Sequence, residues 1–206
     1  MIPELENIIN RVSFLYKKYG IKSVTMDDVA RELGISKKTL YLHFKDKDDL
    51  ILQVLNFEGE KRTQAYKKIF DLRLNAIEEL LEVNRYMNHM MRDYSAVVDY
   101  DLKKYYPEHY AKTQEMRREK MFESLINNMI KGKKEGLFRE DLNEGIIAKL
   151  YVSRIMSMTE NSSFSLSELS SPQVFSELII YHIRGIANDK GIKMLEENLV
   201  KEIYKV

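Results

Sequence analysis

Apolar residues recur three and four positions apart along nearly the whole chain, and only 3 prolines and 8 glycines interrupt the pattern. That spacing puts them on one stripe of a 3.6-residue helix, whereas the alternation that builds a half-buried strand is nearly absent. The sequence therefore predicts an all-α fold in which every helix must bury its stripe against a neighbour. Leu5, Ile8, Ile9, Val12, Leu15, Tyr16 and Tyr19 mark the first stripe, and Gly20 closes it as a left-handed stop.

The densest punctuation lies between Thr25 and Leu50, in "TMDDVARELGISKKTLYLHFKDKDDL". Thr25 stands three residues before Asp28, the arrangement of a capping box, and opens a helix whose Met26, Val29, Ala30 and Leu33 face inward before Gly34 ends it. Ser36 caps the next helix, where Leu40 and Phe44 lie one turn apart on a shared face. Asp46 and Asp49 repeat the cap pattern for a fourth.

From Lys47 the helical pattern runs to about Leu72 through Leu50, Ile51, Val54, Leu55, Ala65 and Ile69, and another helix follows from about Ala76 to Tyr94. "DLKKYYPEHY" breaks the pattern at Pro107, because proline lacks a backbone donor and clashes with the preceding turn. A long helix then runs from about Glu108 to Lys134 and stops at Gly136. Two more span roughly Leu142 to Glu160 and Pro172 to Asn188, separated by the serine-rich "NSSFSLSELSS", with Ser171 as cap and Pro172 at the first helical position. Ile192, Leu195, Leu199 and Ile203 mark a terminal helix. No internal repeat is present, and no linker rich in Gly, Pro or Ser separates the first 46 residues from residues 47–206. The fourth helix is expected to join these two domains mechanically.

A helix, a tight turn at Gly34 and a second short helix form a helix-turn-helix, a common device for presenting a helix to the major groove of DNA. On a helical wheel Lys38, Tyr41 and Leu42 point away from Leu40 and Phe44, and Lys37 lies near the tip. The chain as a whole is almost neutral, with 33 Lys and Arg against 32 Asp and Glu, so any attraction to a polyanion has to be local. It is local here: Ser36 to Lys45 holds lysines at 37, 38 and 45, one histidine and no carboxylate, while Asp27, Asp28 and Glu32 lie on the helix before. Lysines near a helix tip reach guanine O6 and N7 or the backbone, and helix starts offer free amides to phosphate. A solvated lysine-rich surface helix has the same pattern, so periodicity and charge alone leave both readings open.

The string "VTMDDVARELGISKKTLYLHFKDKDDL" resembles the amino-terminal domain of the TetR (tetracycline repressor) family of transcriptional regulators, with its pattern "A..LG.S..TLY.HF..K..L" filled in register over about the first 55 residues. The resemblance implies a three-helix DNA-binding head followed by a larger helical body for ligand binding and dimerisation. It implies that Thr25 and Tyr41 hold phosphates, that Lys37, Lys38 and Thr39, next to the cap Ser36, approach bases, and that Leu42 and His43 lie at the groove edge. The same resemblance implies that Lys47 clamps backbone from the fourth helix and that Ala30, Leu33, Leu40 and Phe44 are scaffold. Many relatives have an aromatic or polar residue where Leu42 stands, which leaves base specificity mostly to Lys37, Lys38 and Thr39. His43 has a second reading, as a packing residue that satisfies a local backbone group.

"GKKEGLFREDLN" is similar to a stretch that precedes the dimerisation helices of many such bodies. The helix with Ile146, Ile147, Leu150, Tyr151, Ile155 and Met158, and the next with Val174, Phe175, Leu178, Ile179, Ile183 and Ile186, carry stripes broad enough for both a core and a partner; an intramolecular bundle is the competing reading. Two heads about 34 Å apart then bind a pseudopalindrome in double-stranded DNA. The Met, Tyr and Asn enrichment between head and dimer pair suits an adaptable pocket for an unidentified small-molecule effector, with Met87, Met91, Tyr94, Met121 and Leu125 as candidates, although cores use methionine too.

The expected protein is thus a cytoplasmic homodimeric repressor, with a helical protein-interaction module and an uncharacterised helical enzyme as rivals. The absence of cysteine excludes disulfides and thiolate metal sites. The first 20 residues resemble neither a signal peptide nor a membrane span. His89 and Asp93 share a helix face but have no third ligand nearby, so neither metal nor cofactor is expected. The histidines, at 43, 89, 109 and 182, are scattered, and no nucleophile elbow or phosphate loop accompanies them, so no catalytic apparatus is visible.

Overall fold

The computed structural model describes residues 3–160, 164–169 and 171–203, and among these the chain is helical throughout with no strand longer than a single bridge. Helices α1 (Pro3–Tyr19), α2 (Met26–Leu33), α3 (Lys37–His43) and α4 (Lys47–Asp71) lead into α5 (Ala76–Arg92), α6 (Ala96–Tyr105) and α7 (Pro107–Lys134). They are followed by α8 (Glu144–Glu160), the four-residue α9 (Leu166–Leu169), α10 (Pro172–Ile186) and α11 (Asp189–Ile203). The side chain of Ile203, expected on the terminal stripe, lies outside the described residues, as do parts of the serine-rich stretch.

Three helices depart from the sequence expectation, the shortest being α9, a single turn inside the serine-rich stretch read as a loop. The break at "DLKKYYPEHY" conceals α6, a helix whose weak apolar stripe gives little periodic signal. Pro107 does not merely interrupt: it opens α7, because at the first helical position its missing N–H has no partner to lose.

The chain divides into two compact units, one made of Met1–Ala65 with Tyr94–Glu115, the other of Tyr66–Asp93 with Met116–Val206. The first unit is built on Ile9, Val12, Ile21, Leu40, Phe44, Leu50 and Ile51, all nearly inaccessible, and Leu102 of α6 joins that core. Tyr19, expected on the buried stripe of α1, is instead 54% exposed at the last residue of the helix, with the Lys18 ammonium 4.9 Å from its ring centroid. The ring stays half in water at the helix end, and the neighbouring lysine covers part of it.

The second unit packs α5, α8, α10 and α11 around Ile77, Leu125, Met129, Phe138, Val152, Ile183 and Leu195. One buried polar knot fastens the start of α5 to α7. The Asn128 amide donates to the Ala76 carbonyl at 2.9 Å and to Glu79 Oε1 at 2.8 Å, and Lys131 Nζ donates to Glu79 Oε2 at 2.6 Å. Glu79 is ionically paired as well as hydrogen-bonded, the condition under which a buried carboxylate is tolerated.

Candidate nucleic-acid interface

The helix pair α2–α3 owes its geometry to three local devices. Thr25 takes extended backbone angles (φ −91°, ψ 164°) and accepts the Asp28 N–H at 3.1 Å, while Asp28 Oδ2 accepts the Thr25 N–H at 3.0 Å. This reciprocal cap satisfies two otherwise orphaned donors and is worth about 1 kcal/mol. Gly34 then turns the chain with a left-handed φ of +70°, returning its N–H to Arg31 and that of Ile35 to Ala30. Ser36 caps α3 by accepting the Thr39 N–H at 3.0 Å.

With the turn fixed, α3 is anchored by two side chains, Leu40 (0% exposed) and Phe44 (1% exposed). Truncating either to alanine would cost about 2–5 kcal/mol. The opposite face carries Lys38, Tyr41 and Leu42 outward, Leu42 being 77% exposed. An isolated leucine this bare on a two-turn helix has no role in the chain's own packing. His43 is half-buried with its ring 6.3 Å from that of Phe44. Thr25 and Ser36 are exposed, but their hydroxyls are already engaged: that of Thr25 donates to Asp28 at 2.6 Å, and that of Ser36 pairs with the Thr39 hydroxyl at 2.7 Å.

Two lysines are held in ways the sequence did not disclose. Lys37 forms an ion pair with Asp27 at 2.8 Å, which raises its pKa above the usual lysine value through the hydrogen bond and the charge of Asp27. Both side chains remain more than half exposed, so the pair contributes little to stability. Lys47 is turned inward, its Nζ donating to the Lys22 carbonyl at 3.2 Å. Burial lowers its pKa, the nearby Lys22 charge adds to that, and Asp101 and Asp28 oppose it. Asp46, read as the fourth cap, accepts the Asp49 N–H at 2.9 Å, and Asp49 accepts that of Lys45 at 2.8 Å.

In the second unit α8 is apolar on two faces. Ala148, Val152, Ile155 and Met156 are buried, while Ile146 (58%) and Leu150 (64%) face solvent. On α10 the inward stripe of Phe175, Leu178, Ile179, Ile183 and Ile186 leaves Tyr181 outside, 69% exposed, with the Arg154 guanidinium 5.2 Å from its ring centroid. The Tyr151 and His182 rings lie against each other at a tilt of 42°, centroids 4.2 Å apart, and burial drives the His182 pKa down to about 4, with Arg154 adding to the shift.

Of the five pocket candidates, Met91 and Leu125 are buried, and Met87, Tyr94 and Met121 are half-buried; Tyr94 falls in the first compact unit and the other four in the second. Two recesses of the second unit involve none of these five. One, of about 210 Å³, is lined by Phe70, Glu79, Ser124, Asn127 and Lys131, and a shallower one, of about 580 Å³, by Lys193, Glu196, Glu197 and Val200. His89 and Asp93 are both exposed, Asp93 being the C-cap of α5. Among the described residues no group of three His, Cys, Asp or Glu is disposed to hold a metal, and no helix is long and apolar enough to cross a membrane.

Comparison with known proteins places this geometry. Residues 15–54 match the family described as bacterial regulatory proteins, tetR family. An HTH-type transcriptional regulator of Staphylococcus aureus is 39% identical over 57 residues, which are 28% of this chain and 31% of that protein. The chain thus matches less than a third of the length of its curated relatives. Among solved structures, a transcriptional regulator from Cytophaga hutchinsonii superposes with a TM-score of 0.76 at 20% identity, covering 90% of this chain and 99% of that one. SmeT, the repressor of the Stenotrophomonas maltophilia multidrug efflux pump SmeDEF, does so at 0.59 and 12% identity, covering 89% of this chain and 90% of its own. At these identities the likeness beyond the head is one of fold.

Proposed function

We propose that this chain, whose residues 15–54 match the tetR family of bacterial regulatory proteins, is a cytoplasmic, homodimeric repressor of transcription that binds a pseudopalindromic operator and is released by a small-molecule effector. The head, residues 1–46, reads DNA, and the body, residues 47–206, pairs with a second copy and takes the effector. The observation that carries this reading is the division of α3: Leu40 and Phe44 are sealed in the core while Lys38, Tyr41 and Leu42 stand in solvent, within the segment matched by the family.

In the proposed complex Lys38 approaches a base edge, joined by Lys37 once its exposed pair with Asp27 opens. Thr39 and Ser36 lie beside them, and Leu42 offers an apolar contact to a thymine methyl or a sugar. Tyr41, Thr25 and Lys47 take phosphates, and His43 sits at the groove edge. The exposed Ile146, Leu150 and Tyr181 are the surface on which two copies meet, since one short helix makes too few contacts and two heads one turn of DNA apart bind together. An effector in the body shifts the equilibrium between states of different head separation only by its differential affinity for them.

Selection of bound fragments from genomic DNA tests this reading. It should yield an inverted repeat whose half-sites are about one helical turn apart, with affinity falling as log salt rises at about −0.9 per phosphate neutralised. Recovery of no duplex at low ionic strength would refute it.

A further inference from the structure

Helix α6 is built into the head rather than laid beside it. Asp101 and Leu102 are buried, and Leu102 shares a core with Ile9, Leu40 and Phe44. At the turn after α1 the approach is so close that only glycine fits: Gly20 has a φ of +83°, and a Cβ there would lie 2.8 Å from both Asp101 Oδ2 and Val97 Cγ1. The Ser95 hydroxyl, just ahead of α6, donates to the Lys17 carbonyl at 3.0 Å.

The two grips that matter converge on one residue. Lys22 donates its backbone N–H to Asp101 Oδ2 at 2.8 Å, and its carbonyl accepts Lys47 Nζ at 3.2 Å. The Lys22 ammonium is turned onto α6 as well, 4.8 Å from the ring centroid of Tyr105. Asp101 is only 6% exposed. A carboxylate so buried is tolerated where hydrogen bonds and nearby positive charge compensate it, and the one described hydrogen bond comes from a neutral amide. Lys47 feels the charge of Asp101, which favours its ammonium form against the cost of burial.

We propose that Asp101 stands in for a DNA phosphate: from α6 it holds Lys47 tucked against the Lys22 carbonyl, and loss of that hold releases Lys47 to the DNA backbone. Asp101 is a positioning residue acting through Lys47, and it gives α6 a direct influence on how many phosphates each head takes up. The inference rests on the DNA-binding reading above and adds to it an internal competitor for one of its phosphate contacts.

The test uses the full chain and a fluorescently labelled duplex of random sequence, so that no operator is needed. Anisotropy titrations at several salt concentrations report the number of phosphates neutralised. Asp101→Asn keeps an oxygen for the Lys22 N–H and removes the charge. It should bind about three- to tenfold more tightly, with a salt slope steeper by about 0.9 for each Lys47 released. In a Lys47→Ala background the Asp101→Asn change should disappear.

An unchanged slope in Asp101→Asn, or the same change with and without Lys47, would reduce Asp101 to an anchor for the turn and overturn the proposal. Should Asp101→Asn not fold, Asp101→Ser takes its place with amine labelling read by mass spectrometry: Lys47 should react more slowly than the exposed Lys38 and Lys45 in the wild type and as fast as they do in the variant, and equal rates in the wild type, or a Lys47 still slow in the variant, overturn the proposal. A wild-type protein that ignores every duplex fails earlier and overturns the regulator reading along with this one, whereas a binder with an insensitive Asp101 fails here alone.

Discussion

Replacing Gly132 with alanine sets two effects of opposite sign against each other. Gly132 lies inside α7, where helix propensity alone makes alanine more stable by about 0.8–1 kcal/mol. The structure opposes that gain. A Cβ at this position would lie 2.1, 2.2 and 2.6 Å from three carbons of the Phe138 ring, so the ring has to leave rather than adjust. It has nowhere to go: Phe138 is 1% exposed and is bridged to Ala187, and its flanks are tied by Arg139 N–H to the Ile186 carbonyl at 2.9 Å and Asn188 N–H to the Leu137 carbonyl at 3.0 Å. Expelling a buried phenylalanine costs about 3–5 kcal/mol, so after the propensity gain the net loss is about 2–4 kcal/mol.

Urea denaturation followed by circular dichroism, at one fixed protein concentration because any self-association adds to apparent stability, measures this loss. Gly59→Ala is the control, since a Cβ there meets nothing within 4 Å, and it should gain up to about 1 kcal/mol. Combining Gly132→Ala with Phe138→Ala should cost clearly less than the sum of the two, because they share one clash. A Gly132→Ala protein as stable as wild type would refute the packing argument.

Further expectations follow from the site and the body. Lys38→Ala should weaken binding to a selected operator by about 1–3 kcal/mol, the size of a good base contact, whereas Asp27→Asn, which frees Lys37 and removes a carboxylate from the same face, should tighten it; mobility shifts read both, and an unaffected Lys37→Ala, Lys38→Ala double variant would remove α3 from the interface. His182 binds its proton more weakly when folded, at about 4 against 6.5, so its contribution is intact above pH 6.5 and is lost as the pH falls toward 4; between pH 7 and 5 the wild type should lose about 2 kcal/mol more stability than His182→Gln in parallel denaturation curves. Leu150→Arg places a charge in the exposed apolar face of α8 and should give a monomer by sedimentation equilibrium with the helical spectrum unchanged, and a persistent dimer would move the interface elsewhere.

The local rules were legible in the sequence because each acts within a few residues. The Thr25–Asp28 box, the Gly34 turn, the Ser36 cap and the Leu40–Phe44 pair depend on spacings of three and four, and all are present in the fold. The stripes of α8 and α10 were legible for the same reason, but a stripe cannot say which of its residues a neighbour covers. Only packing left Leu150 and Tyr181 bare while burying Val152 and Ile183.

What no spacing could announce was contact between residues far apart in the chain. Asp101 meets the turn at Lys22 across 79 positions, Lys47 reaches the same turn across 25, and Phe138, which lies against Gly132, is bridged to the distant Ala187. Helix α6 itself was hidden, since its buried positions include a carboxylate that breaks the apolar stripe. Periodicity records which side of a helix turns from water, and so the sequence determined the helices, their caps and the outward face of α3. The partner met on the buried side, and the tucking of Lys47 against the Lys22 carbonyl, were decided by the tertiary structure.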